Sequence, residues 1–446
     1  MCGLEGVSSG DVFHTLTCGR RRRSRKVAFR DTPRVDVETK ADRMLAAEDR
    51  LMAGEINASD AAGRTWDVAI VGGGPAGAMA ALHLAQAGRS VLVLERASFP
   101  REKVCGDALI PDAIRVLRRA GILQKVQDRA FPSASLRLFS ASQAELLIPL
   151  EALTIKRSIL DHIIINAATE AGAVLVQGHV SRIGEGLPAH VFVRGVDRPL
   201  TAQVVIVATG ADIGLLAQMG MVQRAEPSII AVRRYIRSTT TLQDLVISFD
   251  HAIAPGYAWL FPLGSGEYNV GCGIAWGSRH INLAAYLERF IREFRPLRGF
   301  AATIISQEPL RGARLRCGLL GTSQWRAPNI LAIGESIGTT FHLTGEGIGK
   351  AMESAEQVAA VVLQALDDRD FSILSTFQGN VEGLRNRYRG YEKAQQWLSR
   401  PWVGNAIARL AHRSPRTVAC MSGILNETFD PQEIFSMRGI WNILTR

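Results

Sequence analysis

The sequence predicts an α/β protein. A doubly wound, Rossmann-like nucleotide-binding domain carries an inserted, mainly antiparallel β-sheet domain, and a C-terminal helical region follows. Three observations predict this. "WDVAIV" reads as a buried strand, runs into the glycine turn of "GGGPAGAMAALHLAQAG", and is followed by a second strand, "SVLVLE", which completes a βαβ unit. Residues 133–150 and 229–276 are β-rich, with no helical patterning between their strands. From about Ser372 the pattern is mainly helical. With 446 residues, 47% hydrophobic and 21% charged, the chain is long enough for two or three domains.

Taken in order, residues 1–65 mix polar, charged and small side chains with little strand patterning, apart from a helical pattern over 39–55. They read as a mobile N-terminal extension. "RRRRSRKVAFR" within it carries seven positive charges and no negative one. Such a run suits a solvated tail, since terminal charge runs are usually disordered. An anionic partner, or a start at Met44 or Met52, are the other readings. The nucleotide-binding domain is expected in three pieces, 66–132, 151–215 and 325–370. "AGAVLVQGHV" and "QVVIVATGA" add strands to its sheet, and "NILAIGESIG" returns to it before the helix of "GIGKAMESAEQVAAVVLQAL". The β-rich domain is expected over 133–150 and 216–324, and the helical region over 371–446. No apolar run is long enough to span a bilayer, and no secretory signal is evident. The six cysteines are scattered, without metal-ligand spacing, as suits reduced thiols in a cytoplasm.

Gly72-x-Gly74-x-x-Gly77 follows a strand, opens a helix, and precedes a strand ending in Glu95, 18 residues after its last glycine. That is the context a dinucleotide fingerprint requires. Gly72 permits the tight turn, and Gly74 and Ala76 lie where a pyrophosphate would meet the helix N-terminus. Gly77 allows close helix–strand packing, and Glu95, followed by Arg96, could accept from ribose hydroxyls. The glycines do not distinguish FAD from a nicotinamide. A second signal, "LAIGESIGTTFHLTGEGIG", lies more than 250 residues downstream. FAD is long enough to need a second turn of this kind; a dehydrogenase cofactor is not. "TGEGIG" opens another helix, whose positive end would favour an anionic reduced flavin.

Five stretches, in order over 67–366, together resemble the geranylgeranyl reductase family of p-hydroxybenzoate hydroxylase-like flavoproteins. They are "DVAIVGGGPAGAMAA", "FPREKVCGDALIPDAIRVL", "IKRSILDHIIINAATEAGA", "PGYAWLFPLGSGEYNVGCGI" and "LAIGESIGTTFHLTGEGIGKAMESA". The Cys-Gly-Asp turn and the Tyr-x-Trp-x-Phe-Pro stretch are the more specific of these motifs. The flavin halogenases of the wider group carry a Trp-x-Trp-x-Ile-Pro stretch and a lysine with no counterpart placed here. The resemblance implies a GR2-type FAD domain in pieces and reduction of isolated carbon–carbon double bonds in prenyl chains. It implies contacts to the ADP half of FAD from Gly72, Gly74, Gly77 and Glu95, and further cofactor contacts from Gly106, Asp107, Arg157, Gly210, Glu335, Gly345, Gly347 and Ile348. Tyr257, Trp259 and Phe261 would line the substrate side. Two departures stand out. The usual Gly-Asp-Ala is Gly334-Glu335-Ser336, and the usual proline before "xTGEGI" is His342. His342 could donate a proton, hydrogen-bond the substrate, or be a satisfied polar filler.

Reducing an unactivated alkene needs a hydride on one carbon and a proton on the other. Reduced flavin supplies the first. A thiol suits the second in an apolar site, because it is small, weakly acidic and readily buried uncharged. Cys105 is the expected proton donor or relay; a small core residue in a turn is the bland reading. The main rival activity is a flavin monooxygenase acting on a hydrophobic small molecule, and a non-catalytic FAD-bound scaffold is a further one. The electron donor would be NAD(P)H, a ferredoxin-like protein or a quinol.

Net charge is +10. Residues 384–416 hold eight basic side chains against Glu392 alone, interleaved with Trp397 and Trp402. That mixture suits a hydrophobic or lipid substrate drawn from an anionic membrane surface, hence a cytoplasmic or peripheral membrane location. A solvated helical face is the alternative. No nucleic-acid-binding module is recognisable.

Overall fold

The computed structural model describes residues 57–278, 281–294, 299–319 and 328–431. The expected mobile extension lies outside the described residues as far as residue 56, as does its helical pattern over 39–55. A short helix, Ala58–Ala61, leads in, capped by Asn57, and the Trp66 indole donates to the Ala61 carbonyl.

Two sheets organise the rest. The first contains β1 (Thr65–Val71), β2 (Val91–Glu95), β6 (Val174–Gln177), β7 (Val180–Gly184), β8 (Ala189–Val193), β9 (Leu200–Val207) and β16 (Ile330–Ala332). Its order is β6-β2-β1-β9-β8-β7, and β16 pairs with the other end of β9. The pairs β1–β2, β1–β9, β2–β6 and β9–β16 are parallel. β1 and β2 are apolar along almost their whole length because helices cover both faces of a parallel sheet. Helix Pro75–Gln86 packs between helices Arg157–Glu170 and Ile348–Asp368. Nearly every residue of its sequence is small or apolar, and ten are buried.

The second sheet has nine strands: β3 (Ala108–Leu109), β4 (Phe131–Phe139), β5 (Glu145–Thr154), β10 (Ile229–Ser238), β11 (Leu245–Ser248), β12 (Gly256–Gly264), β13 (Glu267–Ala275), β14 (Ile304–Gln307) and β15 (Arg311–Leu315). All its pairs are antiparallel except β4–β11. Alternation along β12 separates its faces. Ala258 and Leu260 join a core with Val232, Val246, Val270 and helix Leu283–Glu293. Tyr257, Trp259 and Phe261 face the opposite way, towards the first sheet. Helices Arg385–Leu398, Pro401–Ala411 and Pro415–Leu425 complete the described chain, the last packing on β5. The fold is thus α/β, with a Rossmann-like FAD-binding sheet, a mainly antiparallel second sheet and a helical C-terminal region.

Candidate active site

The glycine turn is held by backbone geometry. Gly72 has φ +108°, and a side chain there would lie 2.4 Å from the Ala208 carbonyl oxygen. Gly74 caps helix Pro75–Gln86, whose first amides have no partner within the helix. Gly77 is different. It does not line the cavity, because its missing side chain would fall 1.9 Å from the Gly72 carbonyl oxygen. It lets the helix sit on the turn. The second turn meets the first directly. Gly334, at φ +67°, leaves only 2.8 Å between a Cβ of its own and that of Ala76.

Every other residue nominated from the sequence lines one cavity of about 660 Å³. Its nucleotide arm is bounded by Gly72, Gly74, Ala76, Glu95 and Arg96. Glu95 accepts from the amides of Gly73 (2.9 Å) and Ala97 (3.2 Å), while Arg96 pairs with Asp212 at the rim. Further along, Glu335 faces Gly210, accepts from the Arg316 amide and lies 3.7 Å from the Lys103 ammonium. The extra methylene of Glu335 is therefore accommodated with its carboxylate at the cavity wall. Gly347 caps helix Ile348–Asp368, and Gly345 (φ +67°) leaves room for the Tyr257 hydroxyl, which donates to the Thr344 carbonyl. The helix N-termini at Gly74 and Gly347 therefore both border the cavity, and so fit a long cofactor with a phosphate end and a ring end.

Beyond these turns the cavity becomes apolar. Leu136, Leu138, Leu146, Ile148, Leu245 and Ile247 form one wall, and Ile407, Met421 and Ile424 of the C-terminal helices form another. Tyr257, Trp259 and Phe261 stand where the two arms meet, with successive ring centroids 6.0 and 6.4 Å apart.

Cys105 also lies at that junction, partly open to the cavity. Burial pushes its thiol up, the Arg157 guanidinium pulls it down, and the Asp107 carboxylate pushes it up. The balance keeps the proton on sulfur at neutral pH. Arg157 is held by a paired hydrogen bond to buried Asp161 (2.7 and 2.8 Å) and hydrogen-bonds Cys105. Asp107 is fully buried and pushed up to about 6 by that burial, against hydrogen bonds from Tyr235 and Asn269. His342 is buried with its Nδ1 unpartnered among the described residues. Burial, helped by Arg224, lowers it to about 4. It is neutral at pH 7, so its surroundings favour hydrogen bonding over proton donation. It also borders a second cavity of about 440 Å³, shared with Arg224 and Trp276.

Several site residues escaped the sequence reading. Arg101 spans Glu95 (3.6 Å) and Asp161 (3.3 Å). Lys350 is buried among Asp112, Glu353 and Glu427 at 3.5, 2.6 and 2.5 Å. Asp112, Glu346 and Glu427 could by spacing hold a metal ion, but the ammonium already lies among the carboxylates, and Glu346 is kept protonated by burial and by Asp112. Asn269 is a lone amide in the otherwise apolar run "YNVGCGI", a signal that could have marked it.

A turn-bound dinucleotide arm opening onto an apolar arm, with a protonated thiol between, defines an FAD-dependent oxidoreductase. Comparison with known proteins narrows this. An FAD binding domain model matches residues 65–210, and a geranylgeranyl reductase catalytic domain model matches residues 228–307. The chain is 31% identical to the menaquinone reductase of Mycolicibacterium smegmatis, over 66% of this chain and 76% of that protein. It is 29% identical to conditioned medium factor receptor 1 of Dictyostelium discoideum, over 69% of this chain and 65% of that longer relative. Digeranylgeranylglycerophospholipid reductase 2 of Methanosphaera stadtmanae matches at 25%, over 74% and 87%. Among solved structures, a geranylgeranyl bacteriochlorophyll reductase-like protein from Thermoplasma acidophilum superposes with TM-score 0.67 at 22% identity, covering 86% of this chain and 96% of that one. A flavin-dependent brominase gives TM-score 0.67 at 18% identity, over 85% and 98%. These two likenesses show the fold. The chain belongs to the geranylgeranyl reductase family.

Proposed function

We propose that this chain reduces isolated carbon–carbon double bonds of a prenyl or isoprenoid chain, with Cys105 supplying the proton. The observation that carries this reading is the position of Cys105, a half-buried, protonated thiol on the wall of a cavity that runs from the glycine turns to the leucine and isoleucine walls. Bound reduced flavin supplies the hydride. The Cys105 S–H bond breaks as the second C–H bond forms, and the Arg157 guanidinium stabilises the thiolate left behind. Tyr257, Trp259 and Phe261 orient the hydrocarbon at the junction, and the leucine and isoleucine walls exclude water around it. An external donor, NAD(P)H, a ferredoxin-like protein or a quinol, restores the reduced cofactor. The names of the relatives support the substrate class, since menaquinones and digeranylgeranylglycerophospholipids both carry unsaturated isoprenoid chains.

The C-terminal helices support access to lipid. They wall the apolar arm, yet Arg389, Lys393, Arg400, Arg409, Arg413 and Arg416 are exposed and Trp402 is 61% exposed. Basic residues beside an interfacial indole suit an anionic bilayer surface. Among the described residues no helix is long and apolar enough to cross a membrane. Sedimentation with phosphatidylglycerol vesicles but not with phosphatidylcholine vesicles is the expected behaviour.

The test of the activity is anaerobic incubation of the reduced protein with a geranylgeranyl lipid or a menaquinone. Products should gain two hydrogens for each bond reduced. Cys105→Ser should keep FAD and lose at least about a hundredfold in turnover, the lower end of what a positioned proton donor contributes. Full turnover in that variant would remove Cys105 from the chemistry. Hydroxylated or epoxidised products under air would favour a monooxygenase instead.

A further inference from the structure

Asn269 is fully buried on β13, and each hydrogen bond of its side chain goes to a group beside the thiol. Its Nδ2 donates to the Cys105 carbonyl (2.7 Å) and to Asp107 Oδ2 (2.8 Å). Its Oδ1 accepts from the Trp259 indole (2.9 Å). The orientation of the amide is settled by Trp259, because an indole N–H only donates. The Tyr235 hydroxyl adds a second donor to Asp107 Oδ2 at 2.7 Å. Asp107 itself is left-handed, at φ +65°. A non-glycine residue in that region is uncommon, and it persists where surrounding contacts over-determine it. Here those contacts are Asn269, Tyr235 and the Ile155 amide, which donates to the Asp107 carbonyl.

The chemistry of the reduction asks for something at this place. A thiol that ionised before the alkene arrived would have no proton to give. The groups facing Cys105 are Asp107, Arg157 and Tyr257, and Arg233 faces Asp107 in turn. A carboxylate held near the sulfur disfavours the thiolate, while Arg157 favours it once the proton has gone. The result depends on where Asp107 is kept, and Asn269 keeps it there.

We propose that Asn269 is a positioning residue for Cys105, locking the thiol turn, the Asp107 carboxylate and the Trp259 indole into one unit that holds the proton on sulfur until the alkene takes it. This rests on the reading of Cys105 as the proton donor. In the step itself, the S–H bond breaks, a C–H bond forms, and the thiolate regains its proton from water when product leaves. Asp107 and Asn269 are not consumed.

The test reads the thiol directly. Iodoacetamide labelling of Cys105 in the oxidised, FAD-loaded protein is followed by peptide mass against pH, beside the pH profile of turnover. Asp107→Asn keeps an acceptor for Tyr235 and Asn269 but removes the charge. Labelling at pH 7.5 should rise about tenfold, the equivalent of one pKa unit. The alkaline limb of the kcat profile should move to lower pH. Asn269→Leu should likewise speed labelling and lower kcat at least fivefold with KM changed less than twofold. If Asn269→Leu fails to retain FAD, Asp107→Asn decides alone. Wild-type labelling profiles in every variant that retains FAD would overturn the proposal. Labelling needs no turnover, so full activity of Cys105→Ser would remove the proton-donor reading while the profiles still reported whether Asn269 and Asp107 govern the thiol.

Discussion

At one end of the cavity, the nucleotide arm is shaped by backbone: Gly72 at φ +108°, Gly74 at a helix N-terminus, and Glu95 taking the amides of Gly73 and Ala97. At the other end, the apolar arm is shaped by side chains from β4, β5, β11 and two C-terminal helices, brought together from residues 136 to 424. At Gly72 the first arm tolerates no added atom, because a new Cβ would strike the Ala208 main chain. The second is bounded by leucines and isoleucines, whose volume can change without unmaking the fold. The contrast teaches that cofactor recognition here is inflexible and substrate recognition adjustable.

The harshest way to break that contrast is Gly77→Val. Its Cβ would lie 1.9 Å from a carbonyl oxygen that has nowhere to move. Little soluble, FAD-bearing protein is expected, as read from yield and from the ratio of flavin to protein absorbance. Lys350→Met comes next. Lys350 links Asp112 beside the flavin-side turn to Glu427 beyond the last helix, so it couples the two regions. Removing the buried ammonium should destabilise by about 3–5 kcal/mol in urea unfolding, the usual penalty for breaking a buried ion pair on one side.

Acid pH probes the junction between the arms with a smaller effect. Burial, helped by Arg224, holds His342 at about 4 in the folded chain against the ordinary 6.5. Between those values the unfolded chain binds a proton that the folded chain does not, so stability falls as pH drops from about 6.5 towards 4. Asp107 acts oppositely. Its folded value of about 6 lies above the ordinary 3.8, so the folded chain binds its proton first and gains stability as pH falls through 6. His342→Gln should remove the first trend. Relative to wild type it should gain at most about 3 kcal/mol between pH 7 and pH 4, measured by urea unfolding at each pH. The mildest expected change is Leu138→Trp, which narrows the apolar arm from the wall of β4. FAD content should be unchanged, while turnover on long prenyl chains falls several-fold more than on short ones.

Much of the nucleotide arm was legible in the sequence, since a glycine is a local answer to a local demand. Gly72, Gly74 and Gly345 could be nominated without knowing what they would face. Gly77 could be read as the packing glycine of the motif, whereas the atom it packs against, the Gly72 carbonyl oxygen, had to come from the structure. Cys105 was marked by its Cys-Gly-Asp turn, and the Tyr-x-Trp-x-Phe-Pro stretch placed Tyr257, Trp259 and Phe261 on the substrate side through the family resemblance. His342 was visible as a departure, whereas its neutral state depends on burial and on Arg224.

By itself, then, the sequence determined the strand–turn–helix units, the site of the dinucleotide turn, the cysteine at its edge and the helical C-terminal region. Each is written in spacing over a few residues. Tertiary structure alone decided that Asn269 would hold a turn 164 residues away. It alone placed Lys350 among carboxylates from three parts of the chain and laid the C-terminal helices over the apolar arm. Contacts at such separation follow from sheet register and helix packing, and a single buried amide or ammonium carries no periodic pattern to announce its partners.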